Sequence, residues 1–142
     1  MNIEKIKFLR EELGYTQQIM ANKLNIKRST YSGYDNKIDN IPLNRFKYLC
    51  FLLKTSMDYV VDLKKTNVFI NKVYTPIDKK NIGIKMKSIR TKNNHLEKDI
   101  AKILGIDVST YSRYENGLYI IQTEYLIAFA KYYKVSIDWL CN

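Results

Sequence analysis

Apolar residues along the 142-residue chain recur at spacings of three and four, which predicts helices almost throughout. Ile6, Leu9 and Leu13 mark a first helix, capped by Asn2 and ended by Gly14, a residue suited to a left-handed C-terminal cap. Thr16 caps a second helix whose inner face is Met20, Ala21 and Leu24. A tight connection at Asn25-Ile26-Lys27 leads into a third, from Arg28 to about Asp35. Pro42 sits in the first turn of a fourth, with Phe46, Leu49, Cys50 and Leu53 as its buried stripe, and Ser56 caps a short fifth carrying Tyr59 and Val60. The same succession returns further on. Asp78 caps a helix with Met86 and Ile89; Ile100, Ala101 and Leu104 follow; Asp107 is the next cap; then come Leu126, Phe129, Ala130 and Tyr133, and finally Ser136, Trp139 and Leu140. The predicted fold class is all-α.

The recurrence is a repeat with an offset of 80 residues and no gap. Leu24 to Asn36 and Leu104 to Asn116 are identical at eight of thirteen positions, and the same register pairs Lys5 with Lys85, Arg10 with Arg90, Ala21 with Ala101, and Ser56-Met57-Asp58-Tyr59 with Ser136-Ile137-Asp138-Trp139. Such a period is too long for a stacking solenoid unit, so each copy reads as a complete small domain. The boundaries predicted are 1–63 and 81–142, with a basic linker over 64–80. Inside that linker, Val68 to Tyr74 is apolar and Pro76 stops it. Seven residues are too few for periodicity to choose among a strand, a helix extension and an apolar clip.

Charge narrows the functional classes. Lys and Arg number 24 against 14 Asp and Glu, a formal charge of +10, and every part of the chain shares the excess: +5 over 1–65, +2 over 66–82 and +3 over 83–142. Phosphate attracts such a surface without regard to sequence, so nucleic acid is the first partner to test. No apolar run approaches the roughly 20 residues of a membrane helix, and the start lacks the apolar core of a signal peptide, which predicts a cytoplasmic protein. Cys50 and Cys141 stand alone in apolar helical surroundings and read as reduced core thiols, with no metal site. One histidine, no Ser-His-Asp set, no glycine-rich phosphate loop and no paired acids leave nothing to carry catalysis and call for no cofactor.

Two short helices joined by a three- or four-residue turn, with a small residue in the first and aromatic core residues in the second, is the helix-turn-helix layout. Arg10, Thr16-Gln17, Ala21, Leu24, Ile26, Ser29-Thr30-Tyr31-Ser32, Tyr34-Asp35-Asn36 and Ser56-Met57-Asp58-Tyr59-Val60 resemble the lambda-repressor-like regulators, also called the Cro/cI or XRE family. Ser109 to Gly117 and Ser136 to Leu140 are similar at the equivalent places, so the whole resembles a tandem of two five-helix repressor domains. The resemblance implies double-stranded DNA as partner, a regulator that represses transcription at the nucleoid, and a third helix lying in the major groove. It further implies that Gln17 holds a phosphate or flanking base, that Arg28, Ser29, Ser32 and Gly33 face the groove, and that Asn36 and Lys37 approach the backbone. The matching residues of the second copy are Glu97, then Val108, Ser109, Ser112 and Arg113, then Asn116 and Gly117. Arg10 with Asp35 and Arg90 with Glu115 would be internal salt bridges.

Several residues sharpen this. Lys27 and Arg28 begin a helix, where cations oppose the macrodipole; a phosphate or guanine edge at that terminus would reverse the sign, and a solvated surface pair is the alternative. Gly33 replaces Arg113, Arg28 replaces Val108 and Gln17 replaces Glu97, so the copies cannot read the same bases, and an asymmetric site with stronger binding by the first copy follows. In the second copy Thr-Gln has become Leu96-Glu97, and Asn94 with Glu97 would supply a substitute capping box. His95 reads as solvated. A competing reading makes the protein an interaction module such as an antitoxin, antirepressor or co-regulator. In it only the N-terminal domain reads DNA, and Tyr119, Ile120, Ile121 and Tyr125 grip a protein partner or a second copy of the chain.

Overall fold

The computed structural model describes residues 4–37, 41–70 and 73–142, and all regular structure among them is helical. Two compact units divide the chain, Met1–Pro76 and Ile77–Asn142. The predicted Asn2 cap, together with Asn71 and Lys72, lies outside the described residues.

In the first unit α1 runs Glu4–Glu12, α2 Gln17–Leu24, α3 Arg28–Asn36, α4 Leu43–Leu52 and α5 Met57–Val60. Ile6, Met20, Ala21, Tyr31, Phe46 and Leu49 are fully buried and form the centre of its core. Thr16 and Ser56 cap α2 and α5 by accepting from Ile19 N–H and Tyr59 N–H. Pro42 stands one place earlier than predicted, at the cap position of α4 itself, where its missing N–H is again no loss. In the second unit α6 runs Lys79–Lys92, α7 Glu97–Leu104, α8 Val108–Glu115, α9 Thr123–Tyr133 and α10 Ile137–Cys141. Met86, Ile100, Tyr111, Leu126, Phe129 and Leu140 are at its centre. Asp78, Asp107 and Ser136 cap α6, α8 and α10.

The repeat extends to the backbone. Three helix ends are matched between the units, each with a left-handed residue and a paired return of N–H groups to the last turn: Gly14, Asn25 and Lys54 in the first, Asn94, Gly105 and Lys134 in the second. Each of these positions differs from its counterpart by the same offset. Gly and Asn tolerate the left-handed region, so they exchange freely at the first two ends. Asn94 is therefore consumed in closing α6 and does not join Glu97 in a capping box. Asp99 takes its place in part by accepting from Leu96 N–H at 2.7 Å, while Leu96 itself offers no acceptor to the helix.

The stretch read as a linker divides. As far as Pro76 it groups with the first unit, and its described residues have no regular structure and meet α4 through Phe69 and Tyr74, while Val68, Ile70 and Val73 are exposed. Asn67 Oδ1 accepts from Ser56 N–H at 3.0 Å and from Thr55 Oγ1 at 3.2 Å. Phe69 meets Phe51, and Tyr74 lies 4.9 Å from Tyr48 and 5.6 Å from Phe51 between ring centres. Lys47 Nζ donates to Thr75 Oγ1 at 3.1 Å.

Two glycines in helix interiors are opposites. A Cβ on Gly83 would collide with the carbonyl groups of Tyr114 and Glu115, so its absence lets α6 cross α8 at backbone contact; a Cβ on Gly33 would meet nothing within 4 Å. Gly83→Ala should therefore destabilise the second unit by about 1–3 kcal/mol through overpacking. Gly33→Ala should stabilise the first by up to about 1 kcal/mol through helix propensity, both read from urea unfolding.

Candidate nucleic-acid interface

Helix α3 is amphipathic, and its orientation follows from the core. Tyr31, Tyr34 and Asp35 are buried, which turns Lys27, Arg28, Ser29, Gly33, Asn36 and Lys37 to solvent, with Ser32 half-buried between them. Tyr31 and Tyr34 meet edge to face at 6.3 Å, and Arg45 Nη1 donates to the Tyr34 hydroxyl at 3.0 Å, a support from α4 that the sequence did not signal. Lys27 occupies the cap position of α3 without a side-chain cap bond, so both cations stand on unsatisfied N–H groups. No partner holds Lys27, Arg28 or Lys37 among the described residues. Asn36 Nδ2 donates to Ser32 C=O at 3.0 Å.

Behind this face Arg10 Nη2 pairs with Asp35 Oδ2 at 3.1 Å and Arg10 Nη1 donates to Tyr15 C=O at 2.7 Å. Gln17 is not simply directed outward: its Nε2 donates to the same Asp35 Oδ2 at 3.0 Å. Burial, reinforced by the Asp35 carboxylate, drives the Tyr31 hydroxyl well above its ordinary pKa, so it stays protonated.

The second unit repeats the frame with different chemistry on it. Arg90 holds Glu115 by two bonds, Nε at 2.9 Å and Nη2 at 2.6 Å, and Arg90 Nη1 donates to His95 C=O. That pairing keeps the guanidinium charged beyond any ordinary pH. Glu97, at the position of Gln17, lies 4.0 Å from Arg90 Nη2. His95 is half-buried rather than solvated: its Nδ1 is 2.7 Å from the Tyr133 hydroxyl, which burial pushes up to about 12. At the start of α8, where the first unit has Lys27, Asp107 accepts from Thr110 N–H at 2.7 Å, Ser109 Oγ and Thr110 Oγ1. Those bonds hold its carboxyl down to about 2, so a full negative charge stands on this rim. Val108, Ser109, Arg113 and Asn116 are exposed and Ser112 half-buried, with Asn116 Nδ2 donating to Ser112 Oγ. Gly117 is buried with a left-handed φ of 70°, and a Cβ there would strike Lys80, so it closes the unit instead of facing outward. Of the predicted partner surface, Tyr119 and Ile120 are exposed, Tyr125 is half-buried and Ile121 is core.

The two faces thus differ in sign. Residues 17–37 hold four basic side chains against one acidic, whereas 97–117 hold three against four. Among the described residues no group of three or more His, Cys, Asp or Glu could hold a metal ion, and no helix is long and apolar enough to cross a membrane.

The second unit, with α7 and α8 joined by a three-residue turn and α8 presenting one exposed face, has the helix-turn-helix layout. The helix-turn-helix family model matches residues 86–140, spanning most of α6 through α10. No curated protein and no solved structure matches the chain. The match supports a DNA-binding transcription regulator of the Cro/cI type, with double-stranded DNA as the partner such a domain implies.

Asp107 yields a test of the α8 cap. Because its folded pKa is depressed, its contribution is complete above the ordinary carboxylate value near ~4 and is lost as the pH falls through about 2. Acid unfolding should show Asp107→Ala less stable than wild type at pH 5, with the difference vanishing near pH 2.

Proposed function

We propose that the protein is a sequence-specific transcription regulator carrying two lambda-repressor-like helix-turn-helix domains in tandem, and that it represses by occupying its DNA site. The domains contain the repeats 1–63 and 81–142, and as compact units they extend to Pro76 and begin at Ile77. It works without catalysis or cofactor, in the cytoplasm and at the nucleoid, and a second copy or a protein partner can add to its reach. The observation that supports this most is the exposed edge of α3, where Lys27, Arg28 and Lys37 rim a strip of Ser29, Ser32, Gly33 and Asn36. Cations at the rim bind phosphate and set affinity; small polar side chains and one arginine at the helix start read base edges and set preference. Gly33, with open space around it, lets the helix approach DNA closely. In the second domain Val108, Ser109, Ser112, Arg113 and Asn116 form the corresponding strip.

A second reading has its own support. The acidic balance over 97–117 and the exposed Leu118, Tyr119 and Ile120 suit a protein partner better than phosphate, which would leave base reading to the first domain.

Selection of duplexes from a randomised pool tests both. Two unlike half-sites should be enriched; no enrichment rules out sequence-specific binding, and perfect palindromes as the monomer site rule out the unlike tandem. Arg28→Ala should weaken binding about 5- to 100-fold and relax preference at one position. Arg113→Ala should have a smaller effect of the same kind, and if it changes neither affinity nor preference the second domain is the partner-binding one.

A further inference from the structure

The buried pair behind α3 is less well satisfied than its counterpart, and the difference is one methylene. Glu115 uses both oxygens on Arg90. Asp35 is too short to do so: a single bond joins it to Arg10, and Arg10 Nε and Asp35 Oδ1 are buried without hydrogen-bond partners among the described residues. Orphaned polar atoms cost stability, and a glutamate at residue 35 would remove the defect, as it does in the second unit. What the shorter acid provides instead is an oxygen shared with Gln17, whose Nε2 donates to Asp35 Oδ2 at 3.0 Å. A carboxylate only accepts, so this bond fixes which end of the Gln17 amide points inward. The second N–H of the same nitrogen is left over, at the first residue of α2 on a half-buried side chain. Glu97, the counterpart, has no N–H to offer.

Resting on the DNA-binding reading above, we propose that Asp35 is a positioning residue: it holds the Gln17 amide at the start of α2 so that its free N–H meets a DNA phosphate, at the expense of the closed ion pair. Stability and DNA affinity then oppose each other at this one position, which a purely structural salt bridge does not produce.

The test uses the full chain, a duplex enriched by wild type, and the variants Asp35→Glu, Gln17→Ala and both together. Asp35→Glu should raise Tm by a few degrees while weakening binding about 3- to 10-fold. Gln17→Ala should weaken binding to a similar extent, and the double variant no further, because both lesions remove one contact. Unchanged affinity of Asp35→Glu, or losses that multiply in the double variant, would overturn the proposal. If Asp35→Glu lowers Tm instead, the side-chain amide resonances of Gln17 in wild type decide: a shift of the free N–H on adding duplex supports the role, and unmoved signals refute it. Weakened binding by Arg28→Ala with none by Asp35→Glu removes only the positioning role; failure to enrich any duplex removes the DNA-binding reading with it.

Discussion

In each unit a buried arginine from the first helix grips a carboxylate on the last turn of the third, Arg10 on Asp35 and Arg90 on Glu115. The same arginine also donates to the carbonyl just past the left-handed turn that ends its own helix, Tyr15 or His95. One side chain therefore fixes the end of the first helix, the path into the second and the tilt of the third. Ionic groups this deeply placed are tolerated only as a pair, and loss of either partner costs about 3–5 kcal/mol because the other remains buried and charged. The outward face of α3 or α8 is aimed by this pair more than by any contact on the face itself.

The frame was largely legible because it is written in positions with one physical solution. Thr16, Ser56, Asp78 and Ser136 are caps, Gly14 ends a helix, and Phe46, Leu49, Leu126 and Phe129 repeat at helical spacing into cores. Errors arose where one residue type serves two purposes. Asn94 looks like a cap by composition but is needed as a left-handed closer, the role Gly14 has eighty residues earlier. Gly117 resembled a backbone-facing residue but is buried against Lys80. Seven apolar residues near Val68 were undecidable because their order comes from Tyr48, Phe51 and Asn67 contacts at a distance along the chain, not from a local period.

The exposed strip was legible as a set but not in its internal bonding. Lys27 and Arg28 are both exposed, since solvent receives cations that find no partner at a helix start. The bond from Gln17 to Asp35 was not foreseeable from spacing, and neither was the saturation of Asp107 by its own helix. Both depend on how a short acid is used: Asp35 shares one oxygen between Arg10 and the Gln17 amide, and Asp107 turns back on the helix it begins. The family match falls on the second unit, whose exposed helix start carries Asp107 and Val108, while the cationic rim belongs to the first. Fold and electrostatic character are thus separable in this chain, the former residing in buried and turn positions and the latter in residues the core does not constrain.

The segment that meets α4 changes what counts as the smallest intact piece of the first unit. Ending the polypeptide at residue 63, where the helical repeat itself ends, would strip Phe69 and Tyr74 from Tyr48 and Phe51 and leave Ser56 N–H without the Asn67 oxygen that receives it. A fragment cut there would display an aromatic surface of the kind that drives self-association, whereas one carried through Pro76 brings its own cover.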